Sequence, residues 1–246
     1  MASQTTNPLL TPQGILSFVN VFMARQFTPK GMTASPDAPY KYSCDIIVDK
    51  QDPQIQAILQ EHQQLKLSAF PNGMQPTQYG FEAFRDGDLM LKDGLPDPMY
   101  TGKFVIKGSQ DQAFGDVQIL GIDNKPVFNP IKAQTAFPPM QYDPNIHSTT
   151  QMDDVYSGAI GRMYIQYYAF KGGSGGIGCK LIAVKVDGAG ERIGGGHIDA
   201  TGVFDAPPTP VATPMQQQTP QAPTAPMQQS PMQQAPADPY EDDIPF

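Results

Sequence analysis

Residues 162–170 read Arg-Met-Tyr-Ile-Gln-Tyr-Tyr-Ala-Phe, and their spacing carries the clearest chemistry in the chain. Successive side chains of a β-strand point to opposite faces. The odd positions Met163, Ile165, Tyr167 and Ala169 suit a core, while the even positions collect Arg162, Tyr164, Gln166, Tyr168 and Phe170. Single-stranded nucleic acid needs such a face, because bases stack on rings for about 1–3 kcal/mol each and cations track the phosphates. A strand buried on both faces explains the same residues, and this strand alone leaves the two readings open. Residues 99–107 offer a second face on which Lys103 and Lys107 project together; taken alone, a solvated strand face is the more economical account. Arg25, Phe27 and Lys30 after the first apolar run, and Lys41 in the next, extend the same candidate surface.

The C-terminus carries a different chemistry. Asp242, Asp243, Ile244, Pro245 and Phe246 place a ring and a free carboxylate on the last residue, behind a short acidic run. A partner protein can bury the ring and grip the carboxylate. Pro245 limits the freedom lost on binding, and the acids steer the tip toward a basic rim.

Catalytic constellations are poor. His62, His147 and His197 share no metal-ligand spacing. Asp86-Gly87-Asp88 reads as a turn whose carboxylates accept backbone hydrogen bonds. Gly173–Gly178 spells GxGxxG, but it lies between two strands with no helix to hold a pyrophosphate. No catalytic residue, metal or cofactor is expected.

Charge is unevenly placed. The chain has 16 basic and 24 acidic residues, net −8. Residues 206–246 hold four acids and no Lys or Arg, which leaves 20 acids and 16 bases, net −4, for residues 1–205. The body is therefore only mildly acidic, and a local basic face is compatible with it. Cys44 and Cys179 read as reduced core residues, since two distant thiols make no disulfide scaffold. The sequence shows neither a signal peptide nor an apolar run of the roughly 20 residues a membrane helix needs. The expectation is an intracellular protein without a membrane partner.

The elements follow from pattern. Apolar or alternating runs predict strands over 15–23, 40–48, 99–107 and 116–122, and a long hairpin from strands 155–171 and 177–187 around Gly172–Gly176. Asp52-Pro53 opens the one convincing helix, with Ile55, Ile58, Leu59, His62 and Leu65 at helical spacing. Gly/Pro-rich residues 71–98 and 129–153 read as loops. Many strands and one helix point to an all-β barrel or sandwich with insertions. Beyond Asp205 the sequence contains eleven Pro and eight Gln in 41 residues, a composition that cannot offset its ordering entropy. This divides the chain into a domain at 1–205, a disordered Pro/Gln-rich linker at 206–237 and an acidic docking tip at 238–246.

Two resemblances attach to these residues. The linker and its Glu-Asp-Asp-Ile-Pro-Phe tip are similar to the C-terminus of bacterial single-stranded-DNA-binding proteins. The body resembles a family of single-stranded-DNA-binding proteins from tailed phages, in Phe84–Asp88 (FRDGD), in Met99–Ser109 (MYTGKFVIKGS) and most clearly across 153–196. That resemblance implies an OB-fold, a five-stranded barrel here carrying an inserted helix, a long hairpin and extended loops. It also implies sequence-independent binding of single-stranded DNA in phage replication or recombination, in the cytoplasm of an infected bacterium. The tip then implies replication or recombination partners of the helicase, primase, nuclease or polymerase class; self-association stays open. The family's aromatic and basic DNA surface suits Arg162, Tyr164, Tyr168 and Phe170. The rival from another class is an all-β adaptor that recruits host replication proteins through the same tip without touching DNA, and a weaker one is a virion β-sandwich protein.

Overall fold

The computed structural model describes residues 4–26, 35, 37–72, 81–171 and 175–193, all within one unit spanning Met1–Gly196. The hairpin tip Gly172 to Ser174, His197, the linker and the docking tip lie outside the described residues.

Five strands build the barrel: β1 (Gly14–Gln26), β2 (Tyr40–Asp49), β3 (Lys103–Asp111), β4 (Ile160–Phe170) and β5 (Gly176–Gly188). β1 pairs antiparallel with β2, and β2 with β3 along its length from Lys41↔Asp111 to Asp49↔Lys103. β3 meets β5 in parallel at Ser109↔Lys180, and β5 forms the long hairpin with β4. β4 returns to β1 at Ile160↔Ile15 and Gly161↔Gly14, which closes the sheet. The circular order β1-β2-β3-β5-β4 is that of an OB-fold barrel. Closure demands a close approach: a Cβ on Gly161 would run into the Lys185 carbonyl and the Leu16 side chain.

Three further segments finish the edges. Residues 81–86 wedge between β3 and β5, pairing with Gly176 and Ile177 on one side and with Phe104 to Ile106 on the other. Gln118–Leu120 pairs in parallel with Ala183 to Lys185. Residues 4–11 run along β4, with Leu9 opposite Ile165, Leu10 opposite Tyr164 and Thr5 bridged to Tyr168.

The period-2 pattern decides the interior. Tyr42, Cys44, Ile46 and Val48 of β2 meet Met163, Ile165 and Tyr167 of β4 and Leu181, Val184 and Val186 of β5 in one buried core. Helix α1 (Pro53–Ala69) packs against β4. Asp52 caps it by accepting from the Gln54 N–H at 2.8 Å, and Ile55, Ile58, His62, Leu65 and Ala69 form its buried stripe. The His62 ring stands 5.1 Å from that of Tyr167, edge-on, and 5.5 Å from Phe84. Both thiols are free and buried, and burial pushes both well above the usual thiol range.

Tyr167 is fully buried, yet its hydroxyl has no hydrogen-bond partner among the described residues. An unsatisfied buried hydroxyl costs about 1–3 kcal/mol. Tyr167→Phe should therefore raise the urea midpoint, gaining roughly 1 kcal/mol; a loss of stability in the same titration would show that the hydroxyl has a partner.

Some elements differ from the sequence expectations. The strand placed at 99–107 begins and ends four residues later, because residues 99–102 form a turn: Tyr100 and Thr101 N–H groups donate to the Asp97 carbonyl, and Lys103 N–H to Tyr100. The first strand of the hairpin starts at Ile160, after a 3-10 turn at Met152–Asp154. The 129–153 loop contains a short helix, α2 (Pro130–Thr135), capped by Asn129.

Candidate nucleic-acid interface

The outward positions of the strands form one continuous surface. Asn20 of β1 is opposite Ser43 of β2, Ser43 is opposite Ser109 of β3, Ser109 meets Lys180 of β5, and Lys180 is opposite Gln166 of β4. This polar row crosses all five strands, which lie about 4.8 Å apart. The Gln166 side chain is fixed by donating to the Thr6 carbonyl at 2.8 Å.

The eight candidate DNA-binding residues flank that row. On one side lie Tyr164 of β4, 40% exposed, and the exposed pair Arg25 and Lys41, opposite each other on β1 and β2. Tyr168 and Phe170 of β4 and Lys107 and Lys103 of β3 lie on the other side. The wedge 81–86 separates the aromatic and cationic groups there, since Lys107 N–H donates to the Ala83 carbonyl and Ala83 N–H to that of Ile177. Arg162 stands farther along β4, opposite Lys185, and both reach Asp187, at 3.0 and 3.2 Å.

Local packing sets the aromatic geometry. The Tyr168 ring lies against Gly178, where any Cβ would collide with it, so glycine is what lets the ring lie on the sheet. The Phe170 ring follows 6.2 Å away, tilted by 45°. Desolvation raises the Tyr168 phenol above its usual range, so it stays neutral. Tyr164, Tyr168 and Phe170 thus share the outer face of β4, while Tyr167 points inward.

The cations are not equivalent. Lys103 pairs with Asp49 at 2.8 Å, and that hydrogen bond holds Asp49 below the usual carboxylate range. Lys107 is half-buried directly opposite Asp45. Burial lowers its ammonium, against the pull of Asp45. Asp45 itself is 7% exposed, and desolvation pushes its carboxyl up to about 7 although Lys107 and Arg85 oppose the shift. Ile47 and Val105 are buried although they share this outward face, so its Lys103 half is covered. The most open part of the surface is the polar row and the side bearing Tyr164, Arg25 and Lys41, while Lys107, Tyr168 and Phe170 on the other side are half-buried and still reach solvent.

Three contributors were not visible in sequence. Lys180 is exposed in the row between Ser109 and Gln166; its only signal was its position opposite Gln166 in the hairpin. Arg85 stands beside Val105 on the wedge, in a stretch read only as a turn. Phe18, 52% exposed, sits where β1 breaks register between Ser17 and Asn20, with φ of 48°. A left-handed non-glycine residue costs about 1–2 kcal/mol, and such outliers concentrate at functional sites. The Asp86/Asp88 turn has the structural role expected of it: Asp86 accepts from Asp88 N–H, Asp88 from Gly102 N–H, and Lys50 bridges both carboxylates. Among the described residues no group of acids, His and Cys could hold a metal ion.

The fold has counterparts. A solved structure of the single-stranded DNA-binding protein from bacteriophage Enc34 in complex with ssDNA superposes with a TM-score of 0.53 at 14% identity, covering 76% of this chain and 89% of that one. A second structure of the Enc34 protein gives 0.51 at 16% identity, covering 80% and 90%. At such identities the likeness establishes the fold. No curated protein matches the sequence. The family model described as Enterobacter phage Enc34, ssDNA-binding protein, matches residues 9–213. With that match over most of its length, the chain belongs to the Enc34 family of phage single-stranded-DNA-binding proteins.

Proposed function

We propose that the protein is a non-enzymatic, sequence-independent binder of single-stranded DNA that protects and presents the strand during phage replication and recombination. The observation that carries the reading, beside family membership, is the outward row that contains Lys180. It has rings on one strand and cations on three others, the combination that stacks bases and follows a phosphate backbone. In this reading Tyr164, Tyr168 and Phe170 stack bases. Lys180, Arg25, Lys41 and Lys107 meet phosphates, with Lys103, Arg85 and Arg162 at the margins. Six cations on the outer face of β1, β2, β3, the wedge and β5 (Arg25, Lys41, Arg85, Lys103, Lys107 and Lys180) stand against Asp45, Asp49 and Asp111, so the surface is locally basic in an acidic chain.

Residues 1–205 form the DNA-binding domain, 206–237 the linker and 238–246 the tip. Through Asp242, Asp243, Ile244, Pro245 and Phe246 the protein recruits replication enzymes in the host cytoplasm. Among the described residues no helix is long and apolar enough to cross a membrane.

Fluorescent oligo-dT titrated against duplex at several salt concentrations tests the reading. Preference for the single strand is expected, with log K falling against log salt at a slope of about −3 for four phosphate contacts. Equal affinity for duplex, or no salt dependence, would overturn the reading, and no binding to either oligonucleotide would favour the adaptor that the net −4 of residues 1–205 suggests.

A further inference from the structure

Asp45 is an unusual residue to find in a surface that meets an anion. It lies directly opposite Lys107 on β3 and opposite Ser17 on β1, and it is more deeply buried than either of its cationic neighbours, Lys107 and Arg85. We infer that Asp45 takes up a proton when single-stranded DNA settles on this surface, so that binding tightens as pH falls. The inference rests on the reading above, in which Lys107 and its neighbours meet phosphates.

The physical case starts from which groups face the carboxylate. Lys107 and Arg85 are the cations that favour its charged form. The Tyr100 phenol, raised by burial first and by Asp97 next, also lies close enough for Asp45 to disfavour its ionisation. Behind the strand, the Cys44 and Cys179 thiols are held neutral by burial, and Ser17 adds no charge. Asp45 is thus a nearly buried carboxylate whose charge is tolerated only because two cations stand over it.

A phosphate arriving at Lys107 or Arg85 changes that balance in two ways. It draws the cations toward itself, and it adds a negative charge near Asp45. Both disfavour the carboxylate. The carboxyl, already pushed up to about 7 by burial, is driven higher still, and the vacated charge is taken by a proton from solvent. A group whose pKa rises on binding makes affinity fall with pH across the window between its free and bound values, by up to roughly tenfold per pH unit. Asp45 therefore keeps two cations facing the strand when DNA is absent and becomes neutral when DNA is present.

The test uses the full chain and oligo-dT at fixed ionic strength, with anisotropy titrations between about pH 6 and pH 9. For the wild type, Kd should rise by several-fold to roughly tenfold per unit above neutrality. Asp45→Asn should flatten that profile and bind more tightly at the alkaline end. Parallel slopes in the two proteins would overturn the inference. Because the substitution touches a packed position, titration calorimetry of the wild type in two buffers of different ionisation enthalpy provides a second measure. Net proton uptake near pH 7.5 supports the inference, and none overturns it. Failure of the wild type to bind oligo-dT at any pH would instead remove the DNA-binding reading, and the inference with it.

Discussion

Replacing Tyr164 and Tyr168 together by alanine is expected to weaken oligo-dT binding by at least about thirtyfold. Each base–ring stack is worth about 1–3 kcal/mol, so two give roughly 2–6 kcal/mol, and each 1.4 kcal/mol is a factor of ten. The two rings differ in a way that the single variants should reveal. Tyr164 is 40% exposed and stands between Ala183 and the exposed Leu10, so its loss should leave the melting temperature nearly unchanged. Tyr168 covers Gly178, and removing it exposes the sheet beneath, so a modest stability cost should accompany the loss of affinity. Anisotropy titrations combined with thermal melts separate the two effects. Unchanged affinity in the double variant would move the binding strip off β4 and onto the cations of β1, β2, β3 and β5.

Asp45→Asn should stabilise the protein at alkaline pH and do little in acid. The sign follows from the raised carboxyl, about 7 in the fold against an ordinary 3.8. A raised folded value means that the fold favours the protonated form. Below pH 3.8 both folded and unfolded chains carry a neutral acid, and nothing is lost. Between 3.8 and 7 the unfolded chain releases its proton more readily than the folded one, so stability falls as pH rises, levelling off above 7. At 1.36 kcal/mol per unit the full span corresponds to roughly 4 kcal/mol, an upper figure for one site. The asparagine variant lacks this titration. Urea denaturation should show its advantage over wild type growing by on the order of 2 kcal/mol between pH 5 and pH 8, since part of the span is already lost at pH 5. A constant difference across that range would mean that Asp45 does not titrate there.

How much of this was legible in the sequence depends on where burial comes from. Strand β4 was readable because its own alternation decides both faces: Met163, Ile165, Tyr167 and Ala169 are buried, and the even positions face outward. Helix α1 was readable because Asp52-Pro53 and the apolar stripe are local signals. Helix α2 carried the same kind of cap, Asn129-Pro130, but spans six residues, too few to show a period. Strand β3 was placed early because its last four residues, Gly108 to Asp111, are polar or glycine; what makes them a strand is pairing with Lys41 to Cys44 of β2.

The site divides in the same way. The rings of β4 and the lysines of β3 could be proposed from alternation. Their spatial relation could not, because it depends on β5 and the wedge 81–86 entering between β3 and β4. Lys180 acquires its place only from that topology. Asp45 alternates along β2 with the core positions Cys44 and Ile46, as any outward acid would, and becomes unusual only once Arg85, Tyr100 and Lys107, from three separate stretches, come together near it.

The segment 4–11 has a consequence beyond holding Gln166. Thr6 and Thr11 N–H groups donate to the carbonyls of Tyr167 and Met163, and Thr6 and Thr11 hydroxyls accept from the N–H groups of the same two residues. Eight residues at the start of the chain thereby occupy what would otherwise be a bare strand margin beside the rings. A protease that trimmed them would uncover a row of unpaired amides and carbonyls, the template on which β-rich chains join edge to edge and aggregate. The aromatic strip and the protein's colloidal behaviour are therefore guarded by the same few threonines, and a shortened chain would risk sticking to its own kind before it reached a strand of DNA.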